Sequence, residues 1–309
     1  MSSPAIWDVV GIGANSVDYV YRLPAYPEPD SPNAKMRISN HSISCGGQMA
    51  TALSTCAALG LRAKYIGATG TDDNGRRIRD ELAQRDIDST DVVIRDTANQ
   101  FAIILVDEHS GERIVMWDRD ERLALRTREL PPELLTATRV LHVDDVDQAA
   151  AIAAARIGRE AGIQVTSDID RITERTEDLI AAVTIPIFAE HVTPTLTGEA
   201  DPERALRKLR RRHDGWLCIT LGSRGAVLLD GDRLHHVPAF RVEAVDTTGA
   251  GDVFRGAFIC AMLRGYGPAD VLRYANAAAG LSCTRLGAMN GVPSAEDVER
   301  VLRETPVRG

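Results

Sequence analysis

The sequence predicts an α/β protein with a mainly parallel central sheet, helices on both faces, and a small second β-sheet. Three observations predict it. Over residues 139–220, short apolar runs alternate with helical stretches, the pattern of successive βαβ units. Earlier in the chain, residues 100–106 and 112–117 are two β-rich runs around Asp107-Glu108-His109-Ser110-Gly111, which is a hairpin signal. Later, Val245-Asp246-Thr247-Thr248-Gly249-Ala250-Gly251-Asp252 leads into the apolar run 253–263, whose length suits a buried helix.

Taken in order, Trp7-Asp8-Val9-Val10-Gly11-Ile12-Gly13 reads as a buried first strand. The glycines there do not complete a dinucleotide fingerprint. Ser16 stands in place of the third glycine, and Val17-Asp18-Tyr19-Val20-Tyr21-Arg22-Leu23 is β-rich where a helix is required. A prolyl stretch over 24–32 is irregular, and residues 35–43 alternate as a half-exposed strand does. Cys45-Gly46-Gly47-Gln48-Met49-Ala50-Thr51 opens a small-residue helix through Leu59, with Gly60 as its stop. Residues 65–75 read as strand, loop and helix, without the Gly-Lys-Ser/Thr of a P-loop. Strands are expected at 139–143, 164–168, 185–188 and 216–220, and helices at 147–162, 174–182 and 203–212. Thr220-Leu221-Gly222-Ser223-Arg224-Gly225 reads as a hairpin turn, because 227–232 returns as a strand; a helix follows at 269–283.

Composition narrows the function. A chain of 309 residues suffices for one large domain with a sizeable core. A formal net charge of −8 argues against nucleic acid or an acidic membrane as the main partner. The five cysteines are scattered and form no C-x-x-C, as in a reduced, cytoplasmic protein. Met1-Ser2-Ser3-Pro4-Ala5-Ile6-Trp7 lacks the pattern of a secretory leader, and no uncharged apolar run is long enough to span a membrane. The basic run 207–212 is expected to be a solvated helix face, and His235-His236 a strand edge, since the histidines show no metal-ligand spacing.

The chemistry concentrates in Gly249-Ala250-Gly251-Asp252. Small residues at a helix start expose unpaired N–H groups, which bind phosphate. A carboxylate at the same helix start repels an anion, so phosphate binding alone explains Asp252 poorly. It makes sense as a base taking the proton from the group that attacks the phosphate. The plainer alternative is an acidic partner of the helix dipole. Asp18 is either a turn aspartate or a two-oxygen acceptor for a diol. Asp18, Gly46, Asp168, Thr220 and Asp246 all fall near expected strand ends, where ligands bind in such folds.

Asp246-Thr247-Thr248-Gly249-Ala250-Gly251-Asp252 resembles the C-terminal signature of the ribokinase-like, or phosphofructokinase-B, carbohydrate kinases. The Gly46-Gly47 pair, the loop Gly70-Thr71-Asp72-Asp73-Asn74-Gly75 and Thr220-x-Gly222-x-x-Gly225 also resemble that family, in its order along the whole chain. The fructokinase, ketohexokinase and sulfofructose kinase branch looks most similar. The resemblance implies a single ribokinase-like domain with lid segments at about 14–44 and 98–119, and a homodimer formed through the lid. It implies transfer of the γ-phosphoryl group of ATP to a sugar hydroxyl, with Asp252 as base and Gly249, Ala250 and Gly251 as anion hole. Sugar would meet Asp18, Gly46, Gly47, Gln48 and Thr51, although Thr51 replaces the family's asparagine. ATP would meet Thr220, Gly222, Ser223, Gly225 and Asn276.

Magnesium would ride on the phosphates. The family's Asn-x-x-Glu is missing at Ala189-Glu190-His191-Val192, so Glu190 is the candidate to organise magnesium-bound water; Asp170 also stands where an asparagine is common. The resemblance also implies potassium at Asp246, the carbonyl of Thr248 and the loop Thr284 to Gly291, unless Asp246 only caps its turn. The strand end Leu141-His142-Val143-Asp144-Asp145-Val146-Asp147 is acidic and holds no arginine, which favours a neutral ketohexose or pentose, with Lys35, Arg37 or Arg119 as the alternative source of a cation. A nucleoside kinase of the same fold, or a non-catalytic sugar or nucleotide sensor, are the other readings.

Overall fold

The computed structural model describes residues 6–305; the expected leader-free start at Met1-Ser2-Ser3-Pro4-Ala5 lies outside them. The strands, in chain order, are β1 (Trp7–Ile12), β2 (Ser16–Leu23), β3 (Asn40–Gly46), β4 (Ala63–Ile66), β5 (Ala68–Gly70), β6 (Val93–Arg95), β7 (Phe101–Asp107), β8 (Arg113–Asp118), β9 (Thr138–Val143), β10 (Gln164–Ile169), β11 (Ile185–Ala189), β12 (Leu217–Thr220), β13 (Ala226–Asp230) and β14 (Arg233–Val237). Eight of them form the main sheet, in the order β14-β13-β12-β11-β10-β9-β1-β4. Strands β12 to β4 run parallel, and β13 and β14 fold back antiparallel at one edge. Near-continuous apolar runs such as Val9-Val10 and Val140-Leu141 are what a sheet covered on both faces requires, and these residues are fully buried.

Two helix layers do the covering. Gln48–Ala58, Ala250–Leu263 and Pro268–Ser282 pack on one face. Gln148–Glu160, Thr176–Ala182 and Pro202–Arg210 pack on the other. The helix Ala250–Leu263 is buried from Val253 through Ala261, because it lies between the sheet and two other helices. Pro202–Arg210 buries Ala205, Leu206 and Leu209 and leaves Arg207 and Lys208 in solvent, so its basic run is a solvated face. Its N-cap, Asp201, accepts the Arg204 N–H at 2.9 Å. Among the described residues no helix is long and apolar enough to cross a membrane.

A second sheet has the order β3-β2-β7-β8. The β7–β8 hairpin forms where the sequence places it, pairing Phe101 with Asp118 through Val106 with Arg113. Residues 35–39 are not strand, contrary to their alternating pattern. Pro32–Ala34 makes a short turn capped by Ser31, and pairing with β2 starts only at Asn40 opposite Arg22. The strand instead continues through Cys45-Gly46. The first strand, β1, lies one in from the β4 edge of the main sheet, with β4 paired on one side and β9 on the other, so the strand order reverses at β1. Such a reversal opens a crevice beyond the carboxyl ends of the strands.

Candidate active site

The loop before Ala250–Leu263 is clamped at both ends. Asp246 accepts the Thr248 N–H through one oxygen and the Gly287 N–H through the other, each at 2.8 Å. Gly249 then takes φ 76°, a left-handed conformation that costs an L-residue with a side chain about 1–2 kcal/mol. A Cβ there would also lie 2.7 Å from the Ala288 methyl. The helix begins as Val253 donates to the Gly249 carbonyl. Of the three amides expected to form an anion hole, that of Ala250 already donates to the Thr247 carbonyl at 3.3 Å. Among the described residues the Gly249 and Gly251 N–H groups meet no acceptor, so they are the donors left for an anion.

Asp252 lies half-buried at the floor of a cavity of about 1170 Å³. Burial raises its pKa to about 7; Arg255 pulls the other way, and Asp170, Asp144 and Asp18 add to the rise. Asp144, at the end of β9, is also raised to about 7, chiefly by burial. It is spent on structure, since it accepts the Ala14 N–H at 2.6 Å and the Val146 N–H at 3.0 Å. Three carboxylates thus add to the burial that keeps Asp252 basic near neutral pH, as a proton acceptor requires.

On the side of the second sheet, Asp18 sits in β2 and faces the cavity, 5% exposed. Burial pushes its pKa up to about 6, against a hydrogen bond from Ser16 at 2.9 Å. Gly46 leaves it room, because a Cβ there would stand 2.2 Å from an Asp18 carboxylate oxygen. Gly47, at φ 93°, starts the helix Gln48–Ala58, and it and Gln48 line the cavity. Thr51 is fully buried one turn further on, its hydroxyl without a partner, and the structure does not bring it or Gly46 to the cavity wall.

On the opposite side, Thr220 ends β12, and Leu221 N–H closes the turn onto the Gly225 carbonyl at 2.7 Å. Thr220, Gly222, Ser223, Gly225 and Asn276 all line the same cavity. Asn276 is also a strut: its amide donates to Val237 and Pro238 carbonyls at 2.9 and 3.2 Å. It thereby holds the segment after β14, of which Phe240, Arg241 and Val242 complete this wall. Glu190 is not brought to the cavity; it pairs with Arg224 on the outside of the Thr220 turn. Asp170, beyond the end of β10, does line it.

Of the cations the sequence offered, Arg119 reaches the cavity and Lys35 and Arg37 do not, and sequence reasoning gave no site role to four other arginines. Arg113, Arg119, Arg171, Arg241 and Arg255 all reach the cavity wall. Arg119 binds Asp147 at 2.9 and 3.0 Å, Arg171 meets Asp145 at 3.4 Å, and Arg255 meets Asp168 at 2.6 Å. The acidic strand end at 144–147 is therefore partly neutralised from other elements. Arg113 donates from the second sheet to the Thr247 hydroxyl, next to the anion hole. One signal was available for Arg255. It is the single charge inside the apolar run 253–263, and a charge buried in a helix needs a partner.

A glycine-built anion hole, a carboxylate beside it and one cavity under a second sheet define a ribokinase-like phosphotransferase. The chain belongs to the pfkB family of carbohydrate kinases, whose model matches residues 9–295. It is similar to the ribokinase of Haemophilus influenzae, 25% identical over 299 residues that cover 94% of this chain and 97% of that one. It is similar to the ATP-dependent ribose-1-phosphate kinase of Halopiger xanaduensis, 28% identical over 297 residues, with 96% and 98% covered. A crystal structure from Agrobacterium tumefaciens superposes with TM-score 0.90 at 28% identity, covering 96% of this chain and 97% of its own. The ribokinase of Thermotoga maritima shares the fold, with TM-score 0.82 at 23% identity over 96% of this chain and all of its own.

Proposed function

We propose that this carbohydrate kinase transfers the γ-phosphoryl group of ATP to a hydroxyl of a small neutral sugar, a ketohexose or pentose. The observation that carries the reading is one cavity holding Asp252 and the Gly251 amide on its floor, Asp18 on one wall and the Thr220–Gly225 turn on the other. Relatives named for ribose, fructose and nucleosides, and others solved with ATP, support the substrate classes. Asp252 takes the proton of the attacking hydroxyl. The hydroxyl oxygen bonds to the γ-phosphorus, the bond from that phosphorus to the β–γ bridging oxygen breaks, and ADP leaves with the electron pair. The Gly249 and Gly251 amides meet the charge on the phosphoryl oxygens.

Asp18 binds sugar hydroxyls beside Gly46, Gly47 and Gln48, with Thr51 packed behind. Thr220, Gly222, Ser223, Gly225 and Asn276 hold the nucleotide. Magnesium takes oxygen donors and keeps several waters, so it would ride on the ATP phosphates with the Asp170 carboxylate of the cavity wall beside it. When bound, that ion neutralises phosphate charge. Asp170 is better placed than Glu190 to orient its water, since Glu190 is held outside by Arg224. Both Asp246 oxygens are taken by amides, which supports its capping role over potassium ligation. The reading extends to a cytoplasmic enzyme, in keeping with five unpaired cysteines.

A nucleoside kinase is the second reading, motivated by the nucleoside kinase among the relatives, 25% identical over 301 residues. ADP release measured over a panel of neutral sugars, sugar phosphates, sulfonated ketoses and nucleosides separates the two. The highest kcat/KM is expected for a neutral ketohexose or pentose. A clear preference for a phosphorylated or sulfonated sugar, or for a nucleoside, refutes the neutral-sugar reading; ATP binding without any turnover indicates a sensor.

We propose that the second sheet is a lid within a single domain and that its outer face joins two copies. Its strand register stacks two rows on that face, Tyr19–Ile43–Ile103–Met116 and Tyr21–His41–Leu105–Ile114. Ile43, Ile114 and Met116 are more than 40% exposed. An exposed sheet face carrying large apolar side chains marks an interaction surface. Sedimentation should show a dimer for the unaltered chain and a monomer for Ile114→Glu/Met116→Glu. A monomeric unaltered chain refutes this assembly.

A further inference from the structure

The least expected group at the site is Arg255. It lies on the same helix as Asp252, three residues on, and its side chain is 3% exposed. Asp168, from the end of β10, is 2% exposed and stands 2.6 Å away. This ion pair is the tie between the helix start and the strand whose next residues carry Asp170. A guanidinium nitrogen of Arg255 also packs under the anion hole, because a Cβ on Gly251 would lie 2.8 Å from it. The 2.6 Å contact joins one terminal nitrogen of Arg255 to one Asp168 oxygen without hydrogen-bond alignment, and the Arg255 Nε has no hydrogen-bond partner. A buried ion pair aligned this poorly is costly if it serves structure alone, since burying it costs several kcal/mol per ion.

The surrounding charges explain its presence. Asp18 from β2, Asp144 from the end of β9, and Asp168 and Asp170 from β10 all press on the Asp252 region. Arg255 is the cation that opposes them. An incoming phosphoryl group adds more negative charge at the same place, and like charges repel strongly where water is excluded.

We propose that Arg255 is a positioning residue of phosphoryl transfer: anchored by Asp168, it keeps a positive charge beneath Gly251 and Asp252 and offsets the carboxylates that face the arriving phosphoryl group. This rests on Asp252 as the base, and Asp252→Asn tests that assignment by itself. If Asp252→Asn keeps its turnover, the base assignment fails whatever Arg255 does.

The experiment compares Arg255→Gln, Arg255→Lys and the neutral pair Asp168→Asn/Arg255→Gln by melting temperature, ATP affinity and steady-state rates. The single Arg255→Gln leaves Asp168 uncompensated and is expected to melt lower. The neutral pair should melt close to the unaltered chain, because a buried ion pair and a neutral replacement are often equally stable. Its kcat should still be about 10- to 100-fold down, with the KM for ATP within about threefold, the signature of charge stabilisation used in the transition state. Arg255→Lys keeps the charge and should retain kcat within about tenfold. A neutral pair with unaltered kcat overturns the proposal. So does a folded Arg255→Lys that loses as much kcat as Arg255→Gln, an outcome that can be read even if the neutral pair does not fold.

Discussion

Asp252→Asn is expected to lower turnover by about 10²–10⁴-fold, the usual reach of a positioned general base, with fold and ATP binding nearly intact. The substitution keeps size and hydrogen-bonding shape and removes only the basicity. It also removes a half-buried carboxylate that burial has pushed up to about 7, so no stabilising charge is lost. The same pKa gives the reaction its pH dependence. Asp252 accepts a proton only when ionised, so kcat/KM in the unaltered enzyme should fall as pH drops through about 7 and approach tenfold per unit below it. In Asp252→Asn that limb should disappear along with the rate. A folded Asp252→Asn protein with near-normal turnover, or with the same acid limb, removes Asp252 from the mechanism.

Stability should run the opposite way. Asp18, Asp144 and Asp252 all have native pKa values raised above the ordinary 3.8, to about 6, 7 and 7. The native state therefore holds protons that the unfolded chain has released. The stability these groups contribute is complete below about pH 4 and is lost as pH rises through 6 to 7. Between pH 5 and 8 the unliganded enzyme thus gives up stability from these carboxylates as it gains activity.

Asp18→Ala should weaken sugar binding by about 10²-fold and leave ATP affinity within about twofold. A carboxylate accepting two hydroxyls contributes about 1.5–3 kcal/mol per hydrogen bond. ATP is expected against the Thr220–Gly225 turn, on the far wall, and shares no contact with Asp18. Loss of structure is not the expected cause, because a buried carboxylate with a raised pKa is an unfavourable group to bury. Gly46→Ala is the companion test. Its Cβ would stand 2.2 Å from an Asp18 oxygen, so it displaces that carboxylate without removing it. The two variants should share one phenotype, a raised sugar KM. Equal weakening of sugar and ATP by Asp18→Ala would show that the residue serves the fold and not the acceptor.

The sequence by itself determined the layering, the hairpin and the glycine loop with Asp252, for local physical reasons. Alternating short strands and helices can bury their apolar faces only as a covered parallel sheet. Small residues running into an apolar stretch mark a backbone left open at a helix start. The Thr220–Gly225 turn was legible because strand ends in such a sheet converge on one edge. Asp18 instead lies within β2 of the second sheet and reaches the cavity from there. Residues 35–39 misled because alternation records only a possible face, whereas a strand needs a partner, and β2 offers one only from Asn40 onward.

The tertiary structure alone decided the electrostatics. Arg255 with Asp168, Arg119 with Asp147 and Arg171 with Asp145 join residues 26–87 positions apart, and no spacing rule links them. Glu190 was drawn away by Arg224, which the chain brings back 34 residues later. Asp246 received amides from both Thr248 and Gly287, and so became a clamp. Helix and strand formation depend on neighbours within a few residues, and a pattern records them. A charge answers to whatever the fold places within a few ångströms, and only the packed molecule fixes that distance.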